Sequence, residues 1–595
     1  MAPGLLWVAM QPREGLPTEE FHDWYNNEHG PTRLRLPFVT NGFRFRATDL
    51  DTKPDGKTPE EWPEWLAVYD ITDMSELQSE AYLRLRTDEV KSQREKDVMS
   101  KIMVDRRLFD FVEEVKSEEN FVPLENFLDA PKENEQPRLM NCVIQTIQPG
   151  QEEEFHKWYR EEHMPMMSKI PGFLRIRRFK TSSIGATPST PTQWVSLIEW
   201  AKSAAGTPDH AALNSTPWRM KAQKEYVAEK SYRQYRHYYT FGPAPRDLQP
   251  LDNAKPFVSP DGLTKVMPHN AASDAASASA SAPAAAPASA LAGTIQHTHA
   301  VESYITTADG VDLHFRLEGS GDQHAPLIVL SNCILADYSI WDGFLERFFA
   351  RDGNKAKYRV VRYLTRGRTS NVGGAQSQPI TVDTLSSDII TILDALRVKK
   401  AAAVIGVSLG GATVLNTALK FPNRTHTFIA CDTNPLAPAS NPKAWEERIA
   451  LAKSENAVSG PNNLAAAEGE PIVGRQLADI TVKRWFVPAN YETSPNKERA
   501  QKITEMVANN SMVGFEAGAK ALYAYDLRDS MKASDKYGAF VVGSGDGVLP
   551  KTMKEMAELM GGKTEYLVVD NAGHLPMVEQ PAAFEEIVSK FLSKA

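Results

Sequence analysis

The thirteen residues Glu19 to Pro31, "EEFHDWYNNEHGP", return as "EEFHKWYREEHMP" at Glu153 to Pro165, with Phe, His, Trp, Tyr, Glu, His and Pro at unchanged spacing. A match in so many aromatic and His positions marks an internal duplication, so any fold must house the same unit twice. The surroundings of the copies agree as well. An apolar run precedes each ("LLWVAMQP", "MNCVIQTIQP"), a Gly-Phe with alternating residues follows ("NGFRFRAT", "PGFLRIRRF"), and then comes a Trp-containing run ("EWLAVYDIT", "QWVSLIEW"). Period-two alternation marks strands, and the motif itself suits a helix. The order strand, helix, strand, strand, then helix and strand, predicts a ferredoxin-like α+β unit, once over residues 1–125 and again over 135–265. Two such units can pair their sheets into one barrel.

A second feature divides the chain. From Ala271 to Gly293 the sequence is "AASDAASASASAPAAAPASALAG", too poor in core-forming residues to offset its ordering entropy, so residues 268–300 read as a linker. The C-terminal unit then spans 301–595. A chain of 595 residues suits three or four folding units. Lys plus Arg is 67 against Asp plus Glu 76, a net charge of −9, so there is no basic surplus to hold a phosphate backbone and nucleic acid is not an expected partner. No apolar run approaches the roughly 20 residues that cross a bilayer. Cys142, Cys333 and Cys431 are widely spaced without a CxxC pair, which argues against a disulfide framework and against a structural zinc site. The start "MAPGLLWVAMQPREG" lacks a basic n-region and reads as a first strand, so a cytoplasmic protein is expected; the end "SKA" is a weak form of the peroxisomal tripeptide.

The duplicated half resembles the EthD-like family of dimeric α/β-barrel proteins, on the strength of its F-x-x-W-Y-x-x-x-H helix. The resemblance implies a barrel, formed within the chain or in a homo-oligomer, and leaves activity open, since such barrels include cyclases, isomerases and monooxygenase-like proteins. His22 and His29 are seven apart, as are His156 and His163. On a regular helix each pair shares a face and could form an acid/base site. The other reading is that the aromatic residues pack the barrel while Glu and His make local hydrogen bonds or a subunit interface.

Beyond Val301 the pattern changes. "APLIVLSN", "YRVVRYLT", "AAAVIGVS", "HTFIACDT", "GAFVVGSGD" and "EYLVVDNAGH" are apolar runs ending in small or polar residues, separated by stretches long enough for crossover helices. That predicts a doubly wound α/β sheet with a site at the strand carboxyl ends. Within it, "VIGVSLGG" places Ser408 between Gly406 and Gly410 at a strand-to-helix turn, the G-x-S-x-G elbow that presents a nucleophile. Its hydroxyl needs a base and an orienting acid, and both follow in chain order. Asp546 stands past one strand and His574 past the next, with Asp432, in "IACDTN", the alternative acid. The oxyanion hole is expected from the backbone N–H of Leu409 and that of Ile334 or Cys333.

These segments, with "VLSNCILADYSIW", "KRWFVPANY" and "DNAGHLPMVEQPAAF", resemble the 3-oxoadipate enol-lactone hydrolases over almost all of 301–595. The resemblance implies an α/β-hydrolase fold with a helical cap, about 434–536, and a small lactone or ester of an organic acid as substrate, handled without metal or cofactor. It further implies substrate contacts from cap residues Trp485 and Arg484 and from Arg366. Two features depart from it: the family's "RYDTRGHGxS" is "RYLTRGRTSN" here, with Leu364 and Arg368 in place of an acid and a His, and the duplicated half is an addition. Carbon–carbon bond hydrolysis and haloperoxidase-like chemistry use the same triad.

Overall fold

The runs around each motif copy form strands that close on themselves. In the computed structural model, which describes residues 2–52, 56–126, 138–187, 190–201, 208–252, 254–267, 299–373 and 378–594, two compact units are resolved, Met1–Pro245 and Arg246–Ala595. The first holds a closed barrel of β1 (Gly4–Pro12), β2 (Val39–Ala47), β3 (Trp65–Ile71), β4 (Ile102–Lys116), β5 (Leu139–Ile147), β6 (Phe173–Thr181), β7 (Gln193–Trp200) and β8 (Val227–Thr240). Their order is β1-β3-β2-β8-β5-β7-β6-β4. Each copy thus repeats one order, and its long last strand makes the join. β4 pairs with β1 over its first part and with β6 over Phe109–Lys116. β8 pairs first with β5 and then, over Tyr235–Thr240, with β2. Closure leaves no exposed sheet edge.

The barrel's interior holds an apolar cluster drawn from both copies, with Trp7, Phe43, Leu66, Met140, Phe179 and Leu197. On the outer face of the sheet lie the motif helices, α1 (Thr18–Trp24) and α2 (Glu152–Trp158), each running into a π turn, Tyr25–His29 and Tyr159–His163. Wider bonds carry these turns, from the Gly30 N–H to the Tyr25 carbonyl and from the Met164 N–H to the Tyr159 carbonyl. The motif's proline is the physical cause: Pro31 and Pro165 have no N–H to give, and their rings clash with the carbonyl four residues back, so the ladder widens by one residue. The aromatic positions are explained too. Phe21, Tyr25 and Trp65 surround the fully buried Arg44 at 4.9, 4.7 and 5.0 Å. Phe155, Tyr159 and Trp194 surround Arg178 at 5.6, 3.8 and 5.5 Å. Each such cation–π contact contributes about 0.5–2 kcal/mol.

The second unit is a ten-stranded sheet of β9 (Phe257–Val258), β10 (Lys265–Met267), β11 (Ala300–Thr306), β12 (Asp312–Gly319), β13 (Leu327–Ser331), β14 (Arg359–Tyr363), β15 (Ala401–Val407), β16 (Thr425–Cys431), β17 (Gly538–Gly543) and β18 (Thr564–Val569). Its order is β18-β17-β16-β15-β13-β14-β12-β11-β10-β9. The strands from β14 to β18 are parallel, as their continuous apolar runs predict. Because β13 lies between β14 and β15, the strand order reverses there, which opens a crevice at the strand ends. Residues 246–265, read from sequence as the end of the second repeat, group with this unit, where β9 and β10 extend the sheet beyond β11. The linker segment, Ala271 to Gly293, lies outside the described residues. Between β16 and β17 the predicted cap is helical, including Asn441–Glu455, Arg475–Trp485 and Asn496–Ala508. Among the described residues no helix is long and apolar enough to cross a membrane.

Candidate active site

Ser408 stands between β15 and α3 (Leu409–Lys420) with φ 58° and ψ −116°, a left-handed backbone that a residue with a Cβ adopts only under constraint. The constraint is visible. Its N–H donates to the Cys431 carbonyl at 2.8 Å, and its carbonyl accepts from the Ala412 N–H at 3.0 Å and from the Thr433 hydroxyl at 2.8 Å. Glycine is required on both sides, because a Cβ at 406 would lie 2.2 Å from the Gly410 carbonyl oxygen, and one at 410 would lie 2.3 Å from that of Ser331. Strand, helix and the loop after β13 therefore meet backbone to backbone around the serine.

Asp546 follows β17 and His574 follows β18, and the His574 Nδ1 meets the Asp546 carboxylate at 2.7 Å. Burial opposes ionisation of Asp546, but the His574 partner outweighs it and holds the carboxyl below its ordinary range. Nε2 of His574 has no hydrogen-bond partner among the described residues, so one ring nitrogen is fixed and the other is open. The cap supports this arrangement. The His574 N–H donates to the Trp485 carbonyl at 2.7 Å, and the two rings stack at 5.9 Å. Glu579, which sequence reasoning missed, ties the His574 loop to the cap by accepting from the N–H groups of Gly573 (2.6 Å) and Val487 (2.9 Å). Asp432, the alternative acid, is buried beside the pair, with a carboxylate oxygen within 4.8 Å of the Asp546 carboxylate and of a His574 ring nitrogen. The imidazole bonds Asp546.

For an oxyanion, the Leu409 N–H lies in the first turn of α3, where amides have no helical acceptor. Cys333 and Ile334 are buried in the loop after β13, and the carbonyls of Ser331, at the end of that strand, and of Asn332 lie close against Gly410. Burial pushes the Cys333 thiol up to about 12, so it is no nucleophile at neutral pH.

The remaining expectations divide. Trp485, at 4% exposure, and Arg484, whose charge favours the Asp546 carboxylate, both stand at the site. The Arg366 guanidinium is bonded to Asp309 (2.6 and 2.7 Å) and Asp388 (2.8 and 2.9 Å). Arg368 instead joins the loop after β13 to the cap, donating to the carbonyls of Leu335 and Met506 and to Asn510.

In the barrel, the expected shared face of each His pair is not formed. The π turn falls between the two histidines and rotates the second out of α-helical register. His22 packs on Trp65 and Tyr238, while His29 packs on Trp24 and Tyr25 and meets Glu95 at 2.8 Å. His156 lies 4.0 Å from the Trp194 ring and 3.1 Å from Arg178, while His163 packs on Trp158 beside Arg219. Burial, aided by Arg44, lowers His22 to about 2; burial, with Arg33 and Arg178 respectively, lowers His29 and His156 to about 4, and His163 falls well below its ordinary value.

Residues 326–581 match the family described as the alpha/beta hydrolase fold. This part of the chain is an α/β-hydrolase, and the protein is a hydrolytic enzyme. It is similar to 3-oxoadipate enol-lactonase 2 of Acinetobacter baylyi, 27% identical over 292 residues, which are 48% of this chain and 96% of the relative. It is also similar to 3-oxoadipate enol-lactonase 1 of the same organism, 29% identical over 294 residues, again 48% and 96%. Among solved structures, the enol-lactonase from Burkholderia xenovorans is 25% identical with a TM-score of 0.41, covering 49% of this chain and 99% of that one.

Proposed function

We propose that the C-terminal unit opens a lactone or cleaves a carboxylic ester of a small organic acid through a Ser408 acyl-enzyme. The observation that carries this is the strained Ser408 at the strand-to-helix turn together with a His574 whose Nδ1 is held by Asp546 and whose Nε2 is open. His574 takes the Ser408 proton as Oγ attacks the carbonyl carbon, and the oxyanion is met by the N–H of Leu409 and that of Ile334 or Cys333. Asp546 holds the imidazole and stabilises its charged form. His574 then returns the proton to the departing alkoxide or enolate, which in a lactone stays tethered to the acyl group, and water repeats the sequence to free Ser408. Trp485 and Arg484 would contact the acyl part, and the two enol-lactonase relatives support a lactone as the substrate class.

The test is turnover of short aryl esters and enol lactones by the wild type and Ser408→Ala. We expect the variant to lose at least about a thousandfold in kcat/KM. Equal turnover by the two proteins overturns the assignment.

For unit 1, we read the duplicated barrel as two EthD-like, ferredoxin-like units paired within the chain. Support comes from the common strand order of the two copies and from the long strands that pass between them. The different surroundings of the paired histidines favour packing over an acid/base site.

A further inference from the structure

The hydrolytic site contains one buried acid that the mechanism above does not use. Asp432 follows directly on β16, with a left-handed φ of 44° and 1% exposure. Its N–H donates to the Val541 carbonyl at 3.1 Å, and Oδ1 accepts from the Gly543 N–H at 2.9 Å, so the side chain is locked against the end of β17, three residues before Asp546. Oδ2 is fully buried and no N–H or hydroxyl group of the described residues donates to it, while the Asp432 and Asp546 carboxyls lie in side-chain hydrogen-bond contact. Among the described residues the charged and titratable groups facing it are Asp546, His574, Glu579 and the adjacent Cys431, and the basic one of these, His574, is already bonded to Asp546.

A carboxylate in this position would be a buried charge with no donor on Oδ2, set against a second carboxylate. A carboxylic acid would have one O–H to give, and the nearest anionic acceptor is Asp546. We propose that Asp432 is a positioning residue, a carboxylic acid that keeps its proton at neutral pH and offers it to the Asp546 carboxylate, fixing the orientation in which Asp546 receives His574. The proposal rests on the reading of Ser408, Asp546 and His574 as the hydrolytic residues. Burial first, and the Asp546 charge second, push the Asp432 carboxyl well above the usual carboxylate range, in keeping with the geometry. The site then carries one carboxylate charge rather than two. A proton donated to Asp546 also lowers its basicity, which keeps the proton on the imidazole when His574 becomes charged.

Asn in place of Asp432 keeps both an acceptor for the Gly543 N–H and a donor for Asp546; Ala keeps neither. We expect Asp432→Asn to hydrolyse p-nitrophenyl acetate with kcat/KM near the wild-type value and an unmoved acidic limb of the pH profile, and Asp432→Ala to lose about 10- to 100-fold, mainly in kcat. If Asp432 were ionised, removing its charge would lower the acidic limb by about one pH unit or more in Asp432→Asn, and that shift overturns the proposal. Wild-type kinetics in Asp432→Ala overturn it equally. Infrared difference spectra of wild type minus Asp432→Asn at pH 7 give a readout that needs no turnover: the carbonyl stretch of an un-ionised carboxylic acid is expected, and its absence again overturns the proposal. Labelling of Ser408 by an aryl phosphonofluoridate separates the two readings. If wild type and Ser408→Ala label alike, the nucleophile assignment fails, whatever the infrared band shows about Asp432.

Discussion

His574 meets Asp546 at 2.7 Å and His29 meets Glu95 at 2.8 Å, two histidine–carboxylate pairs of nearly one length in two unrelated parts of the chain. Their surroundings differ in every other respect. The unit that holds His574 also holds a serine in left-handed backbone, at the start of a helix whose first amides have no helical acceptor. Around His29 are the rings of Trp24 and Tyr25 and the Arg33 charge, on a helix with ordinary dihedrals. A paired imidazole is therefore no signature of chemistry by itself. The signature is strain held in place by backbone contacts, next to polar capacity left unused.

Substitution sharpens that contrast. His574→Ala should lower ester turnover by about a thousandfold or more, while His29→Ala and His163→Ala leave kcat/KM at the wild-type value; a comparable loss in either barrel variant breaks the comparison. Gly410→Ala comes next in size. Its Cβ would fall 2.3 Å from the Ser331 carbonyl oxygen and 2.6 Å from that of Asn332, so denaturant unfolding should show a loss of about 1–3 kcal/mol, as for other overpacked sites. The smallest effect separates the pairs by pH. Buried His29 has its folded value lowered from 6.5 to about 4, so the unfolded chain takes up a proton that the folded chain refuses. Barrel stability is then complete above about pH 6.5 and declines as pH falls toward 4. Glu95, lowered from 4.5 to about 2, adds a further loss between those values. Thermal unfolding followed by tryptophan fluorescence from pH 7.5 to 4 should show a falling midpoint, with a shallower fall in His29→Gln. A flat profile would remove burial of the neutral imidazole as the distinguishing feature.

The hydrolase sheet was legible because buried parallel strands are continuous apolar runs and their ends are marked by small or polar residues. Ser408, Asp546 and His574 could be placed for the same reason. Glu579 could not, since it acts through backbone N–H groups at Gly573 and Val487 that have no residue signature. The ion pairs of Arg366 were not legible, because its partner Asp309 sits in the turn between β11 and β12, far upstream in sequence. β9 and β10, at two and three residues, are too short to show a period. The His pairs illustrate a signal present but unread: Pro31 and Pro165 both announce that helical register cannot be carried through the motif.

The exchange of β4 and β8 across the barrel has a consequence for how this half can change. An assembly of two identical subunits must place the same residue at both symmetry-related sites, so a substitution useful at one is imposed on the other. Here both copies lie on one chain, and they have already parted: a carboxylate, Glu95, faces the motif's second histidine in the first copy, and a guanidinium, Arg219, faces it in the second. With both copies on one chain the two halves need be only approximately alike, which leaves each face of the barrel free to be selected for a different role.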